Sequence, residues 1–382
     1  HAFAQSSIGS WFAAFLAIIF VVCLFFFIQN RIETPAHLQG ENQLESLVSR
    51  ESSFLFNNLV LLGACFAVLC GTLFPILSEW IRGYKIAVGA PFFNKVIIPI
   101  GLFLIFLTGV GPLLAWRKTS WGSVKRNFAI PAGFATIVAI ALVVFGTRPF
   151  SDLAHFYAWL SFVMAALVIA TIASEFFRGG RVLQNKLDTN ILAAVYHLTR
   201  RNMRRYGGYV VHFGVVVMLI GIAGTAFNQE KEQEMGLGDK LQIGHYVLTG
   251  QEYTQDDNAN YTSEAALLEV YKDGNYLGRL TPELRFFKAN GGQPDHIVAN
   301  HSTLQEDLYV IYAGKNPATD HPIIKAFVNP LVAWVWIGVL VVVFGTGLAL
   351  VPNAAQLKSP VPVAVPAVSG ERGRIQPAGV SK

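Results

Sequence analysis

The sequence predicts an all-α membrane fold, a polytopic bundle of about seven transmembrane helices with an inserted β-rich extracytoplasmic domain. Three observations predict it. Hydrophobic residues make up 53% of the 382 residues and charged residues only 14%. Seven apolar runs are long enough to cross a hydrocarbon core, which takes about 20 helical residues because lipid offers no partners to backbone N–H and C=O groups. A polar stretch, 228–327, separates the last two runs.

The seven spans are predicted near residues 11–28, 54–77, 96–116, 128–144, 156–172, 209–227 and 331–350. Lysine and arginine concentrate in the loops that face the inside of the cell. With the first residue outside, the inside segments hold 17 of these cations and the short outside loops hold 4. The basic balance therefore reports membrane topology, and we expect lipid contact and no nucleic-acid partner.

The segment 228–327 is predicted to form one β-rich outer domain. Asp273-Gly274 separates two runs that alternate apolar and polar residues, which indicates a two-residue hairpin turn with both central residues at positive φ. The predicted organisation is a bundle of six helices over 1–227, this domain, a last helix over 328–350 and a disordered inside tail over 351–382.

One histidine, His212, lies inside the sixth span among valines and glycines. A polar side chain in lipid costs a few kcal/mol unless it is paired, so such residues tend to mark a ligand or a pathway. Gly208 precedes it by one helical turn and Arg205 by nearly two, on the same face. A notch, an imidazole and an arginine suit a flat macrocycle that carries an iron and propionates. The simpler alternative is a hydrogen bond to a neighbouring helix.

The opposite face of the sixth span carries glycines. Gly214 and Gly221 lie about 160 to 200° from His212 at 100° per residue, and Gly224 falls on the same broad face. Small residues let a neighbouring helix approach closely. We therefore expect the imidazole to face something other than the tightest helix contact.

His1 is the second candidate ligand, on the outer side just before the first span, although a solvated histidine is the simpler interpretation. The other histidines, His296 and His301 among them, are expected to be structural or on the surface. The three cysteines all lie in predicted spans, and the chain has no CxxC or CxxCH motif to hold zinc or attach haem. The chain opens without Met or a signal peptide, which predicts that an upstream portion or a partner chain is missing.

Several stretches together resemble the CcmF family, the membrane haem lyase subunit of system I cytochrome c maturation, and its nitrite-reductase-associated relative NrfE. The matching segments are SRESSFLFNNLVLLGACFAVLCGTLFP, GAPFFNKVIIPIGLFLIFLTGVGPLLAW, RRYGGYVVHFGVVVMLIGIAGTAF and FVNPLVAWVWIGVLVVVFG, and the opening HAFAQ resembles the end of the family's outer histidine motif. The resemblance implies a bacterial inner-membrane protein with 228–327 on the periplasmic side.

The same resemblance implies two haem sites. Haem b would be held inside the bundle by two helix histidines, of which His212 matches the second. Substrate haem, delivered by a haem chaperone, would be held outside by two loop histidines, of which His1 matches the second. The family's tryptophan-rich segment and the first histidine of each pair lie upstream in the family and are absent from this sequence. The sequence is therefore expected to be either a fragment of a longer chain or one half of a split protein whose amino-terminal half another chain supplies.

The implied function is attachment of haem to the CxxCH thiols of apocytochrome c, together with other maturation subunits, with haem b as an electron relay. Two alternatives stay open. The bundle could transport haem across the membrane, or the chain could be a scaffold half that only recruits partners, in which case replacing His212 would leave haem b intact.

Overall fold

The computed structural model describes residues 8–33, 46–115 and 119–351. Seven helices in these ranges are long and apolar enough to cross a membrane, which confirms the predicted fold class. The helices are α1 (Ile8–Glu33), α2 (Arg50–Arg82), α3 (Ala90–Val110), α4 (Trp121–Val144), α5 (Leu153–Leu187), α6 (Ile191–Arg201), α7 (Met203–Ala223) and α8 (Val332–Leu350). The predicted ligand His1 and most of the predicted tail lie outside the described residues.

The inner segment 173–208 differs from the prediction, which treated it as a loop. Helix α5 continues to Leu187 instead of stopping near 172, and Asp188 ends it in the left-handed conformation. The additional helix α6 follows at once, because the Asn190 side chain accepts a hydrogen bond from the Ala193 amide at 2.8 Å and so caps its first turn.

Helices α7 and α8 pack very closely, as the glycine face predicts. A Cβ placed on Gly214 would lie 2.8 Å from the Val342 amide nitrogen, and one on Gly221 would lie 2.7 Å from the Val335 nitrogen. Gly338 and Gly345 provide the matching small residues on α8. Because these positions carry no side chain, the two backbones meet directly, and His212 is left on another face of α7.

Ten strands between α7 and α8 form two antiparallel sheets. One sheet has the order β1-β10-β9-β8, and the other has the order β2-β3-β4-β6-β7 with β5 paired to β4. The strands are β1 (Gln229–Glu234), β2 (Lys240–Ile243), β3 (Tyr246–Asp257), β4 (Tyr261–Lys272), β5 (Asn275–Leu280), β6 (Glu283–Phe287), β7 (Gln293–Ile297), β8 (Ala299–Ser302), β9 (Glu306–Lys315) and β10 (Pro322–Pro330). Strand β10 ends at Pro330, three residues beyond the predicted domain boundary at 327, and α8 begins at Val332, one residue after the predicted start of the span at 331.

The two sheets bury a common apolar core. Its fully buried members come from both sheets and include Leu241, Leu248 and Leu268 from one and Leu308 and Ile324 from the other. The predicted hairpin joins β4 to β5, with Asp273 at φ 49° and Gly274 at φ 83°. Since the domain is connected to the carboxyl end of α7 and leads straight into α8, both of its ends lie at the same end of the helix pair.

Candidate functional site

A cavity of about 460 Å³ opens between α2, the end of α3 and α7. Its wall mixes apolar groups with several polar ones, which is unusual at membrane depth because unpaired polar groups are costly there. The lining residues are Arg50, Ser53, Phe54, Asn57, Leu107, Thr108, Gly111, Pro112, Arg205, Tyr209 and His212. The structure therefore brings two of the predicted site residues, His212 and Arg205, to one cavity.

His212 contributes an imidazole to this wall. None of the side chains or backbone groups in the described part of the chain hydrogen-bonds to it, so the simpler interpretation, a hydrogen bond to a neighbouring helix, is not seen there. The glycine face of α7 is turned to α8. A neutral imidazole can bind a metal through the lone pair of a ring nitrogen. The imidazole of His212 lies on the cavity side of the helix.

Arg205 belongs to a tight polar cluster. Its Nη2 lies 2.9 Å from Oε2 of Glu175 on α5 and 3.2 Å from the Tyr209 hydroxyl, which itself lies 3.3 Å from the same carboxylate oxygen. The tyrosine ring also lies beneath the guanidinium, at 5.7 Å. The charge of Arg205 is therefore already compensated by Glu175, a partner on another helix.

Arg50 is a second arginine on the wall, and sequence reasoning counted it only as an inside cation. It is the first residue of α2, where Ser49 and Ser52 form a capping box. Its Nη2 donates to the Pro112 carbonyl at 2.7 Å and its Nε to the Gly111 carbonyl at 3.4 Å. Across the ranges that the structure covers, no carboxylate pairs with it, so its charge stays available to the cavity.

Asn57 lines the cavity, and the expectation for Gly208 has a different outcome. The Asn57 Nδ2 lies 3.5 Å from Oδ1 of Asn58 on its own helix. Gly208 does not line the cavity. A Cβ placed there would meet no heavy atom within 4 Å, so the expected notch is an open face of α7.

The outer-domain histidines lie on separate sheets. His296 is on β7, where its Nδ1 lies 3.0 Å from the Tyr312 carbonyl oxygen, and His301 is on β8. No cluster of three or more His, Cys, Asp or Glu side chains suitable for a metal ion occurs in the described residues. The geometry thus favours the intramembrane cavity over the outer domain as the candidate cofactor site.

Comparison with known proteins agrees with this architecture. Residues 226–330 match the family described as the CcmF C-terminal beta-sandwich. Cytochrome c-type biogenesis protein CycK of Bradyrhizobium diazoefficiens is 29% identical over 87% of this chain and 48% of its own length. CcmF of Escherichia coli is 26% identical over 92% of this chain and 50% of its own length, and NrfE of Haemophilus influenzae is 22% identical over 78% and 44%.

A solved structure, that of the cytochrome c heme lyase CcmF, superposes with a TM-score of 0.64 at 25% identity, over 80% of this chain and 46% of that one. The spans and the inserted sheets define a multi-pass membrane protein with a carboxyl-proximal β-sandwich. Within that class, the chain is similar to CcmF/NrfE-type proteins. It spans about half the length of the curated relatives it matches.

Proposed function

We propose that this chain serves in cytochrome c-type biogenesis as a membrane haem-binding part of a haem lyase, with haem b in the cavity at His212. The observation that carries the proposal is the combination of an imidazole and a cation, Arg50, on one intramembrane wall. Among the described residues, the imidazole has no hydrogen-bond partner and Arg50 has no carboxylate partner. The relatives named for cytochrome c-type biogenesis and the heme lyase structure support the same function.

The residues present fit an iron porphyrin. A volume of about 460 Å³ falls within the roughly 300 to 1,000 Å³ of small-molecule and cofactor sites. Phe54, Leu107 and Pro112 supply apolar surface for a macrocycle, and the imidazole of His212 supplies a nitrogen donor. Arginine matches the carboxylate geometry of a propionate. When bound, the haem would supply one-electron chemistry whose potential depends on its axial ligands.

Each residue then has a distinct part. His212 would offer a nitrogen donor to the iron from a helix that α8 holds through the glycine contacts. The carbonyls of Gly111 and Pro112 fix the Arg50 guanidinium at the wall, ready for a propionate. Arg205, which the sequence favoured for this role, is already neutralised by Glu175, and we assign it to holding α5 and α7 together beside the site.

The proposal extends to parts outside the described residues. His1 would be an axial ligand for substrate haem on the periplasmic side, and the remaining ligands would come from an amino-terminal portion or another chain. The partners would be a haem chaperone, other cytochrome c maturation subunits and apocytochrome c. The bundle would lie in the bacterial inner membrane with 228–327 in the periplasm.

The experiment expresses His212→Ala in the native host and measures bound haem b and the yield of mature cytochrome c. His245→Ala is the matched control, since His245 lies on the outer domain, where its Nδ1 pairs with Asp273 at 2.9 Å. We expect the first variant to lose both the haem b absorption and the cytochrome c, and the control to keep both. A His212→Ala variant with normal haem b content would refute the proposed site.

Arg50 is tested separately, by Arg50→Gln and Arg50→Lys. Loss of a cation beside the site destabilises the more negatively charged reduced haem, so we expect Arg50→Gln to lower the midpoint potential and Arg50→Lys to restore most of it. Equal potentials in both variants and the wild type would remove Arg50 from the site. This outcome would leave the assignment of His212 standing.

A further inference from the structure

Helix α6 is a short amphipathic helix held between two membrane-spanning helices. Residues 188–190 connect it to α5, and Asn202 alone separates it from α7. Both of its ends are therefore tied to the inner edge of the bundle, beside the Glu175–Arg205 pair. A helix in this position must lie close to the headgroup region of the inner leaflet.

One face of α6 packs against α5. A Cβ on Gly179 would lie 2.6 Å from Leu198 Cδ2, and one on Gly180 would lie 2.7 Å from Val195 Cγ2. Two consecutive glycines thus form a notch on α5 that receives the apolar side chains of α6. This face is fully occupied by the protein itself.

A second apolar face of α6 is exposed. Leu192 and Tyr196, one helical turn apart, are 79% and 61% exposed. An exposed leucine and tyrosine at this level match the membrane interface, where an apolar body and a polar hydroxyl are both accommodated. Amphipathic helices that lie in the interface plane bury such a face at the boundary between headgroups and acyl chains.

Three arginines lie at the end of α6 and the start of α7, and Arg200 continues the row of Leu192 and Tyr196 at four-residue spacing. Arg200 and Arg201 are in the last turn of α6, and Arg204 is in the first turn of α7. All three are exposed, and none forms an ion pair with a residue in the described ranges. The segment 173–208 holds seven cations and only two carboxylates, and one of these is engaged by Arg205.

We propose that α6 and the start of α7 form a binding surface for anionic phospholipid of the inner leaflet. Leu192 and Tyr196 insert between the parts of the acyl chains nearest the headgroups. The three arginines, Arg200, Arg201 and Arg204, contact the headgroup phosphates. Basic residues next to an anionic leaflet strengthen membrane attachment, and the attraction is screened by salt. The surface is separate from the cavity and does not depend on the proposed haem function.

The test uses the full chain in nanodiscs of phosphatidylcholine with increasing phosphatidylglycerol, and measures the lipids retained on the protein by native mass spectrometry. The test variant is R200Q/R201Q/R204Q. The control variant has the same change in net charge but carries three substitutions on the outer domain, K231Q, K240Q and R279Q.

We expect the wild type and the control to retain phosphatidylglycerol preferentially, and the test variant to lose this preference by roughly tenfold. A test variant that elutes as a folded protein and keeps the preference would overturn the proposal. The wild type gives an independent readout that requires no mutation. Its preference should fall at high salt and should resist competition by free inorganic phosphate, whereas displacement by free phosphate would indicate an ion site and also overturn the proposal.

Discussion

Substituting Gly214 by alanine tests the packing that positions His212. The added Cβ would lie 2.8 Å from both the amide nitrogen and Cγ2 of Val342, and 2.9 Å from the Gly338 carbonyl oxygen. Ordinary contacts begin near 3.4 Å. Because two of these three atoms are backbone, no side-chain rotation relieves the overlap, and α7 and α8 must separate by several tenths of an ångström.

The same substitution at Gly208 is a matched control on the same helix. A Cβ there meets no heavy atom within 4 Å, so Gly208→Ala changes helix propensity and little else, by up to about 1 kcal/mol in favour of alanine. Gly214→Ala gains the same propensity but also overpacks the interface, which costs about 1–3 kcal/mol. The difference between the two variants isolates the overpacking, so we expect Gly214→Ala to be less stable than Gly208→Ala by about 1–3 kcal/mol.

The assay is unfolding of the purified chain in mixed micelles with increasing dodecyl sulfate, followed by tryptophan fluorescence. Trp334 and Trp336 lie near the start of α8 and contribute to this signal. Equal midpoints for the two variants would refute the close backbone contact between α7 and α8, and with it the rigid placement of His212.

Three further results are expected on the intact chain. The Glu306 carboxylate accepts a hydrogen bond from Lys272 at 2.8 Å and raises the pKa of this lysine above its ordinary 10.5. Glu306→Gln should therefore cost the outer domain about 1 kcal/mol at neutral pH, and this loss of stability should vanish as the pH rises through the raised pKa. Hydrogen exchange on β4 and β9 measures the loss, and a loss that persists at high pH would contradict the pairing. Gly274→Ala places a Cβ at φ 83° and should cost about 1 kcal/mol, detected as faster exchange in β4 and β5; unchanged exchange would count against the turn. Glu175→Gln removes the carboxylate from Arg205 and should destabilise the bundle by about 1 kcal/mol in the dodecyl sulfate assay, whereas a neutral effect would contradict the assignment of this pair to holding α5 and α7 together.

Local sequence patterns predict much of the fold. Long apolar runs locate the seven spans because lipid imposes the same length on each one. The Asp273-Gly274 turn can be predicted because few residues tolerate positive φ at two consecutive positions. The glycine face of α7 likewise predicts a close neighbour, although nothing in the sequence of α7 identifies α8 as that neighbour.

The elements that were missed depend on short or long-range information. Helix α6 has only three turns, and its apolar positions serve as packing contacts for Gly179 and Gly180 on another helix. Because the segment 173–208 is polar and basic, its sequence resembles that of a loop, and the helix within it is not recognised. Its start is nevertheless marked by Asn190, a good N-cap residue.

The candidate site was predictable only in part, for the same reason. His212 is recognisable because an imidazole is rare in a membrane span. Arg50 reaches the cavity only because α3 ends at Val110, and the following turn, which contains Pro112, lies against the start of α2. The neutralisation of Arg205 requires Glu175, which lies 30 residues earlier on a different helix. Tertiary packing, and no local pattern, decides which arginine keeps its charge available.

Replacing His212 by glycine and adding imidazole back tests most directly whether this side chain ligates the haem iron. We predict that His212→Gly, purified from the native host with its partner chains, lacks the haem b absorption band, and that free imidazole restores it by occupying the vacated position in the cavity. An absorption band in His212→Gly that equals the wild type without imidazole would contradict the claim that this side chain ligates the iron.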